Sequence, residues 1–377
     1  MDQPLYYDFR DILIAPARAL AAKRIFVMTL FLCLAVAIYD VFVYLAAVLD
    51  GASLETFWRW HGLLPLAGLN FSGGLAQAAC GLGIVLALLA LMTGLFAVSA
   101  IEIEQLRGNR FFPMCEAIRF ARRRLGQLAA GEAAMVAFLL FILLLFLLLG
   151  LVVRIPAVGE WVYAATFLLP VFFIAIFTVF IVAVLQISVI LLPAAAAAER
   201  HGESFTAILG TFSTVIRQPV RWLAYTAYGL AAAKAASWIY AYFCYRAVQF
   251  TAWAASLTAG EKADRLVREG LGHLPVRSGP VEAAVALVPG FDWRFSISQW
   301  AERGDSAAGY VMAAMLLVIL ASVFGYALAV VATTQARAYA VIRFLKDDYR
   351  IAEEPPLFLP EAREDETGSG GAGAPAG

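Results

Sequence analysis

A chain of 377 residues that is 62% hydrophobic and 15% charged, with a mean hydropathy of +0.80, carries too much apolar surface for a core in water. Lipid is therefore the expected solvent for much of it. Its 28 basic residues balance 28 acidic ones, and a net charge of zero gives no support to a nucleic-acid partner. The basic residues are 24 Arg and 4 Lys.

The first apolar run starts near Ile25 and lasts about 25 residues, beyond the 7–15 of a signal-peptide core, so it reads as a retained helix. A bilayer core about 30 Å thick takes roughly 20 apolar residues as helix. Six segments qualify: Ile25–Leu49, Leu75–Ala100, Glu132–Val153, Val171–Leu192, Trp222–Val248 and Ala307–Thr333. The fourth is expected to follow an interfacial turn at Pro170 and to end at Pro193. The predicted fold is an all-α integral membrane protein: a six-helix transmembrane bundle over residues 1–352 with cytoplasmic amphipathic surface helices. A disordered cytoplasmic tail is expected over 353–377, where Pro, Gly and acids dominate.

Basic residues set the expected orientation. Arg10, Arg18, Lys23 and Arg24 precede span one. Arg107, Arg110, Arg119, Arg122, Arg123 and Arg124 follow span two, and Arg200, Arg217 and Arg221 follow span four. Arg337, Arg343, Lys346, Arg350 and Arg363 follow span six, whereas the first and second outside loops hold only Arg59 and Arg154. Positive-inside places both termini in the cytoplasm, in a bacterial inner membrane. The loop after span five, with six basic and seven acidic residues, is long enough to weigh little in that rule. Phe57, Trp58 and Trp60 suit the outer headgroup level, and "GEKADRLVREGL" reads as a short mixed-charge helix before Trp293 and Trp300.

The polar interlude "SFTAILGTFSTVIR" places Phe205, Ile208, Leu209, Phe212, Val215 and Ile216 on one helical stripe, opposite Thr206, Gly210, Ser213 and Arg217, and Pro219 ends it. This predicts a surface helix leading into span five, with Arg217 and Arg221 at lipid phosphates. Two more such segments precede spans one and three: Phe9, Ile12, Leu13 and Leu20, then Met114, Ile118, Ala121, Leu125 and Leu128. The threefold recurrence fits either a divergent repeat or the plain need for basic edges before odd-numbered spans.

The stretch from Pro193 to Tyr225, with Glu199, Ala207, Ile208, Phe212, Ser213, Arg217, Gln218, Pro219, Arg221 and Tyr225 in place, resembles a segment of an uncharacterised bacterial family of six-span inner-membrane proteins. The opening "DFRDILIAPARALAAKRIFVM" resembles that family's start. The layout is faintly similar to the membrane domain of bacterial glycerophosphodiester phosphodiesterases, whose catalytic barrel is absent here. The resemblance implies a topology and supplies no active site.

Asp40 and Lys234 interrupt spans one and five at depths of ~22 Å and ~18 Å from the basic edges. They read either as a polar pair serving a proton or ion relay, or as a structural ion pair or a snorkelling lysine. Arg122, Arg123, Arg124, Arg217 and Arg221 are candidate lipid-phosphate contacts, and topology signalling alone accounts for them equally. Cys33, Cys80, Cys115 and Cys244 show no metal-ligand spacing, and neither do His61, His201 and His273. No catalytic motif, cofactor site or metal site is predicted. Small-residue rows at Gly83/Ala87, Ala90/Gly94 and Ala321/Gly325/Ala329 predict close helix packing. The expected role is a non-enzymatic accessory or scaffold component that engages the bilayer, anionic lipids, other membrane proteins or itself. The alternative is a transporter or channel for a small amphiphile or ion working through Asp40 and Lys234.

Overall fold

The computed structural model describes residues 5–61, 65, 69–155, 158–199, 204–274, 304 and 306–357, and every regular element among them is helical. Two five-residue helices, α1 (Phe9–Leu13) and α2 (Ala15–Ala19), open the chain. They are followed by α3 (Ala22–Leu49), α4 (Leu54–His61) and α5 (Gly74–Leu106). Next come α6 (Met114–Val153), α7 (Gly159–Thr166), a π-type turn (Phe167–Phe172) and α8 (Phe173–Ala198). The last helices are α9 (Ser204–Arg217), α10 (Pro219–Ala259), α11 (Glu261–His273) and α12 (Ala307–Asp347), before a 3-10 turn at Ile351–Glu353. Three of these are long and apolar enough to cross a membrane: α3, α5 and α12. Val136–Leu151 of α6 and Phe173–Ala183 of α8 are shorter apolar stretches among the described residues. The protein is a helical membrane protein.

Local chemistry fixes the helix ends. Asp8 caps α1 in a reciprocal box with Asp11, and the Ser306 hydroxyl accepts the Gly309 N–H at 3.0 Å to start α12. Pro219 opens α10 at a position where its missing N–H costs nothing. Leu169, the residue before Pro170, is extended at φ −134° and ψ 115°, as a pre-proline residue prefers, and this separates α7 from α8. Pro193 does not end the helix, contrary to expectation. It lies inside α8, which continues to Ala198 because Ala194–Ala198 are buried against the rest of the bundle.

The hairpin of α3 and α5 makes the most extensive helix contact. It is close because Gly83 lies against Phe42 and Gly94 against Phe31, where a Cβ on Gly94 would stand 2.8 Å from the Phe31 Cβ. Gly325 of α12 meets Thr29 of α3 in the same way. The predicted small-residue rows are the packing seams. Helix α12 is the hub, touching α1, α2, α3, α5, α8, α9, α10 and α11.

Helix α10 runs antiparallel along α12, as the contacts of Gly229 with Thr334, Thr226 with Gln335 and Tyr240 with Ser322 show. Helices α6 and α8 form a second hairpin. Beyond Ala133, α6 is half-buried or buried only along Leu139, Ile142, Phe146, Leu149 and Val153, and its other described apolar side chains are exposed.

The three predicted surface segments take three different forms, which weakens the case for a repeat. The first is the pair of short helices α1 and α2, docked on α12. The second is continuous with its span, since α6 runs unbroken from Met114 to Val153. The third, α9, is wedged between α8 and α12. Its buried face is Ala207, Thr211, Thr214 and Val215, whereas Leu209 and Ile216 of the predicted stripe are exposed. The start of the expected disordered tail is docked: Glu354 pairs with Arg107 at 2.5 Å, and the Leu357 N–H donates to Glu104 at 3.1 Å. The rest of the tail, Trp293 and Trp300 lie outside the described residues.

Candidate functional site: the charged end of the bundle

Where α3 begins, α5 ends and α12 continues past its apolar stretch, ionised side chains are buried together. Glu102 of α5 is 1% exposed, Arg24 of α3 0% and Arg337 of α12 4%. Arg337 Nε donates to Glu102 Oε1 at 2.5 Å, and Arg24 Nη2 pairs with Glu102 Oε2 while also donating to Gln105 Oε1. Arg337 Nη1 reaches the Asp11 carbonyl at 2.9 Å, which ties α1 to the same knot. Both carboxylate oxygens are taken by guanidinium groups. A carboxylate so occupied has little capacity left for substrate, so the arrangement works as a clamp on three helices.

A second knot lies one turn further along α5. Arg107 donates to Glu104 at 3.1 Å, to Glu354 at 2.5 Å and to the Ala198 carbonyl at 2.7 Å. The last of these satisfies an orphan acceptor at the end of α8. Arg343 pairs with Glu199 at 2.8 Å and stacks over Tyr349. Lys346 donates to Ser213 of α9 at 3.0 Å, and Gly210 leaves room for the Tyr339 hydroxyl, which a Cβ would approach to 2.8 Å. The polar residues of the interlude therefore serve contacts with the extension of α12.

Sequence reasoning missed this site. In the sequence Arg24, Arg107 and Arg337 read only as topology signals, and a tally of Lys and Arg passes over the acids in "IEIEQLR", directly after an apolar run. Two carboxylates on the final turns of a span are the signal that was available.

The predicted site residues divide. Arg124 turns inward, donating to the carbonyls of Glu199 at 2.6 Å and Ala196 at 3.3 Å and lying over the Phe120 ring. Arg217 is exposed and reaches Asp347 only at 3.8 Å. Arg122, Arg123 and Arg221 are exposed, and no ion pair or hydrogen bond occupies them among the described residues. Arg119, which the sequence did not single out, is in the same condition.

Asp40 is half-buried on α3 and Lys234 exposed on α10, and the structure does not bring them together. The α10–α12 register puts Lys234 level with about Ala329. Arg24 and Arg337 share Glu102 and Thr29 meets Gly325, so α3 runs antiparallel to α12 and Asp40 lies level with about residue 314. Fifteen helical residues separate the two levels, roughly 22 Å along the axis.

His61 stacks on Phe57 and His273 on Tyr310, while His201 lies outside the described residues. No group of three or more His, Cys, Asp or Glu is placed to hold a metal among the described residues. At the opposite end of the bundle, Asp50 accepts from the Gly73 N–H at 2.8 Å and from the Ser72 N–H and hydroxyl, which holds its carboxyl below the usual carboxylate range. Glu269 of α11 is held low in the same way by the Ser306 N–H, at 2.7 Å, at the start of α12. No family model matches the chain, and no curated protein or solved structure matches it either.

Proposed function

We propose that the chain is a six-span bacterial inner-membrane protein with both termini in the cytoplasm, acting as a non-enzymatic accessory or scaffold component. The spans are those of α3, α5, α6, α8, α10 and α12, and the layout is the one implied by the resembled family. One observation carries the functional reading. The ionised side chains at the basic end are largely committed to clamps between helices, while long apolar faces of α6 and α8 and several arginines stay open to outside partners. A bundle welded at one end and apolar on its flanks suits holding lipids or other membrane proteins in place.

The transporter reading, through Asp40 and Lys234, gains nothing from a separation of roughly 22 Å along the axis. The deciding experiment is native mass spectrometry after gentle extraction, alongside ion-flux measurements in proteoliposomes. Recovery with stoichiometric lipid or a partner protein, and no flux above empty vesicles, is the expected result. A flux abolished by Asp40→Asn or Lys234→Gln overturns the scaffold reading.

A further inference from the structure

We infer that the outer face of α6 is a docking site for an anionic phospholipid, with the headgroup on Arg119, Arg122 and Arg123. This rests on the proposed topology, which puts the Met114 end of α6 at the cytoplasmic surface. Three features of the helix converge. First, the three arginines fall at i, i+3 and i+4, so they share one face, and all are exposed. Arg124, their neighbour in sequence, points inward onto Glu199 and Ala196, so the face is set by the helix and its inward anchor.

Second, these guanidinium groups stand apart from other arginines of the same end. Arg24, Arg107, Arg337 and Arg343 are spent on carboxylates, whereas among the described residues nothing takes the donors of Arg119, Arg122 and Arg123. A guanidinium fork matches a phosphate bidentately, so three forks on one face make a strong phosphate contact.

Third, the same face continues up the helix as a track with the shape of a lipid. Above the arginines come Gly126, Ala130, Ala133 and Ala137, all exposed, and a Cβ on Gly126 would meet nothing within 4 Å. Above these stand exposed Leu140, Phe141, Leu144 and Leu148. From Arg123 to Ala137 the rise is roughly 21 Å, enough to run from the headgroup layer into the hydrocarbon. Ala133 and Ala137, inside the proposed span, leave room beside the helix for the upper acyl chains, and the bulky apolar side chains follow above them. A nucleic acid or a free phosphate would use the arginines and have no use for the apolar track.

The test uses the full chain in nanodiscs of phosphatidylcholine doped with phosphatidylglycerol or cardiolipin, reading co-purified lipid by native mass spectrometry. Arg122→Gln/Arg123→Gln is compared with Arg10→Gln/Arg18→Gln, a charge-matched change at exposed arginines of α1 and α2. The first variant is expected to lose about tenfold or more in preference for the anionic lipid, and the second to stay within about twofold of wild type. Ala133→Phe, which puts bulk on the track without touching charge, is expected to lower retention of the same lipid. Inorganic phosphate at millimolar concentration is expected not to displace it.

Equal losses in both double variants mean diffuse surface electrostatics and overturn the site. So does an unchanged preference in Arg122→Gln/Arg123→Gln, or in Ala133→Phe. Displacement by phosphate makes the arginines a soluble-anion site and overturns the lipid. If the wild type enters nanodiscs and shows no lipid preference, this inference fails and the scaffold reading stands. If it does not enter a bilayer, the membrane topology itself fails.

Discussion

Glu102 of α5 and Arg337 of α12 are 235 residues apart in sequence and 2.5 Å apart in space. Their contact, shared with Arg24, joins the last long helix to the first hairpin at a place where both partners are almost wholly removed from solvent. Removing one member of such a group leaves buried charge without compensation, and that fixes the sign of the first expectation.

Glu102→Ala is expected to destabilise the folded protein by about 3–5 kcal/mol, because two guanidinium groups lose their counter-charge. Replacing all three members together, with Arg24→Met, Glu102→Leu and Arg337→Met, is expected to recover much of the loss, since no charge then stays buried alone. Unfolding in mixed micelles as denaturing detergent rises measures both. A single variant as stable as wild type would show that the clamp contributes nothing.

Glycine at a helix seam and glycine on an open face should respond oppositely. Gly94→Ala pushes a Cβ to 2.8 Å from the Phe31 Cβ and is expected to cost roughly 1–3 kcal/mol. At Gly150 of α6 a Cβ meets nothing within 4 Å, and Gly150→Ala is expected to be neutral or stabilising by up to about 1 kcal/mol. Thermal midpoints of the two variants in the same detergent separate the cases.

The tail provides a truncation pair. Ending the chain after Leu357 keeps Glu354 on Arg107 and the Leu357 N–H on Glu104, and is expected to leave stability unchanged. Ending it after Glu353 strands Arg107, which is 4% exposed, with Glu104 as its remaining carboxylate. The second truncation is expected to lower the thermal midpoint by several degrees relative to the first.

Acid should loosen the opposite end of the bundle first. The Asp50 carboxyl is held below its ordinary value by donors from Ser72 and Gly73, so the unfolded chain binds more protons than the folded one as pH falls. Its contribution is complete above about pH 4 and disappears as pH drops through the lower folded value. Amide exchange at Ser72 and Gly73, corrected for intrinsic pH dependence, should accelerate there and nowhere above pH 5. Asp50→Asn should remove that step.

Asp40 and Lys234 should behave as strangers. At roughly 22 Å along the axis, a double-mutant cycle of Asp40→Asn and Lys234→Gln is expected to show coupling below about 0.5 kcal/mol. A larger coupling would require the helices to slide past one another.

Much of the helix layout was legible because it is local. Apolar runs of span length locate α3, α5 and α12, and the glycines at 83, 94 and 325 announce close packing before any partner is known. Pro170 announces a break, and the break is there. What escaped depends on residues far away in the chain. Pro193 reads as a helix end until α8 is packed against its neighbours, and Arg24 reads as a topology signal until Glu102 arrives from 78 positions on and Arg337 from still further. The stripe of α9 misled for a related reason. The helix buries Ala207, Thr211 and Thr214 because it packs among α8, α6, α10 and the extension of α12, and the sequence of α9 holds no record of those neighbours. Depths measured from the basic edges of α3 and α10 do not align Asp40 with Lys234, because each helix takes its level from its own contacts with α12.

The clamp also imposes an order on synthesis. Arg24 and Glu102 belong to the first hairpin and can meet as soon as α5 is made, but Arg337 and Glu354 are among the last described residues to leave the ribosome. Until then the nascent hairpin carries Glu102 with one of its two arginine partners, and Arg107 lacks Glu354. A chain stalled before α12 leaves Glu102 and Arg107 without these partners, with charge uncompensated at that end of the first hairpin. Arrival of α12 and the segment after it buries these groups together, so the knot closes only once chain regions more than 200 residues apart have met.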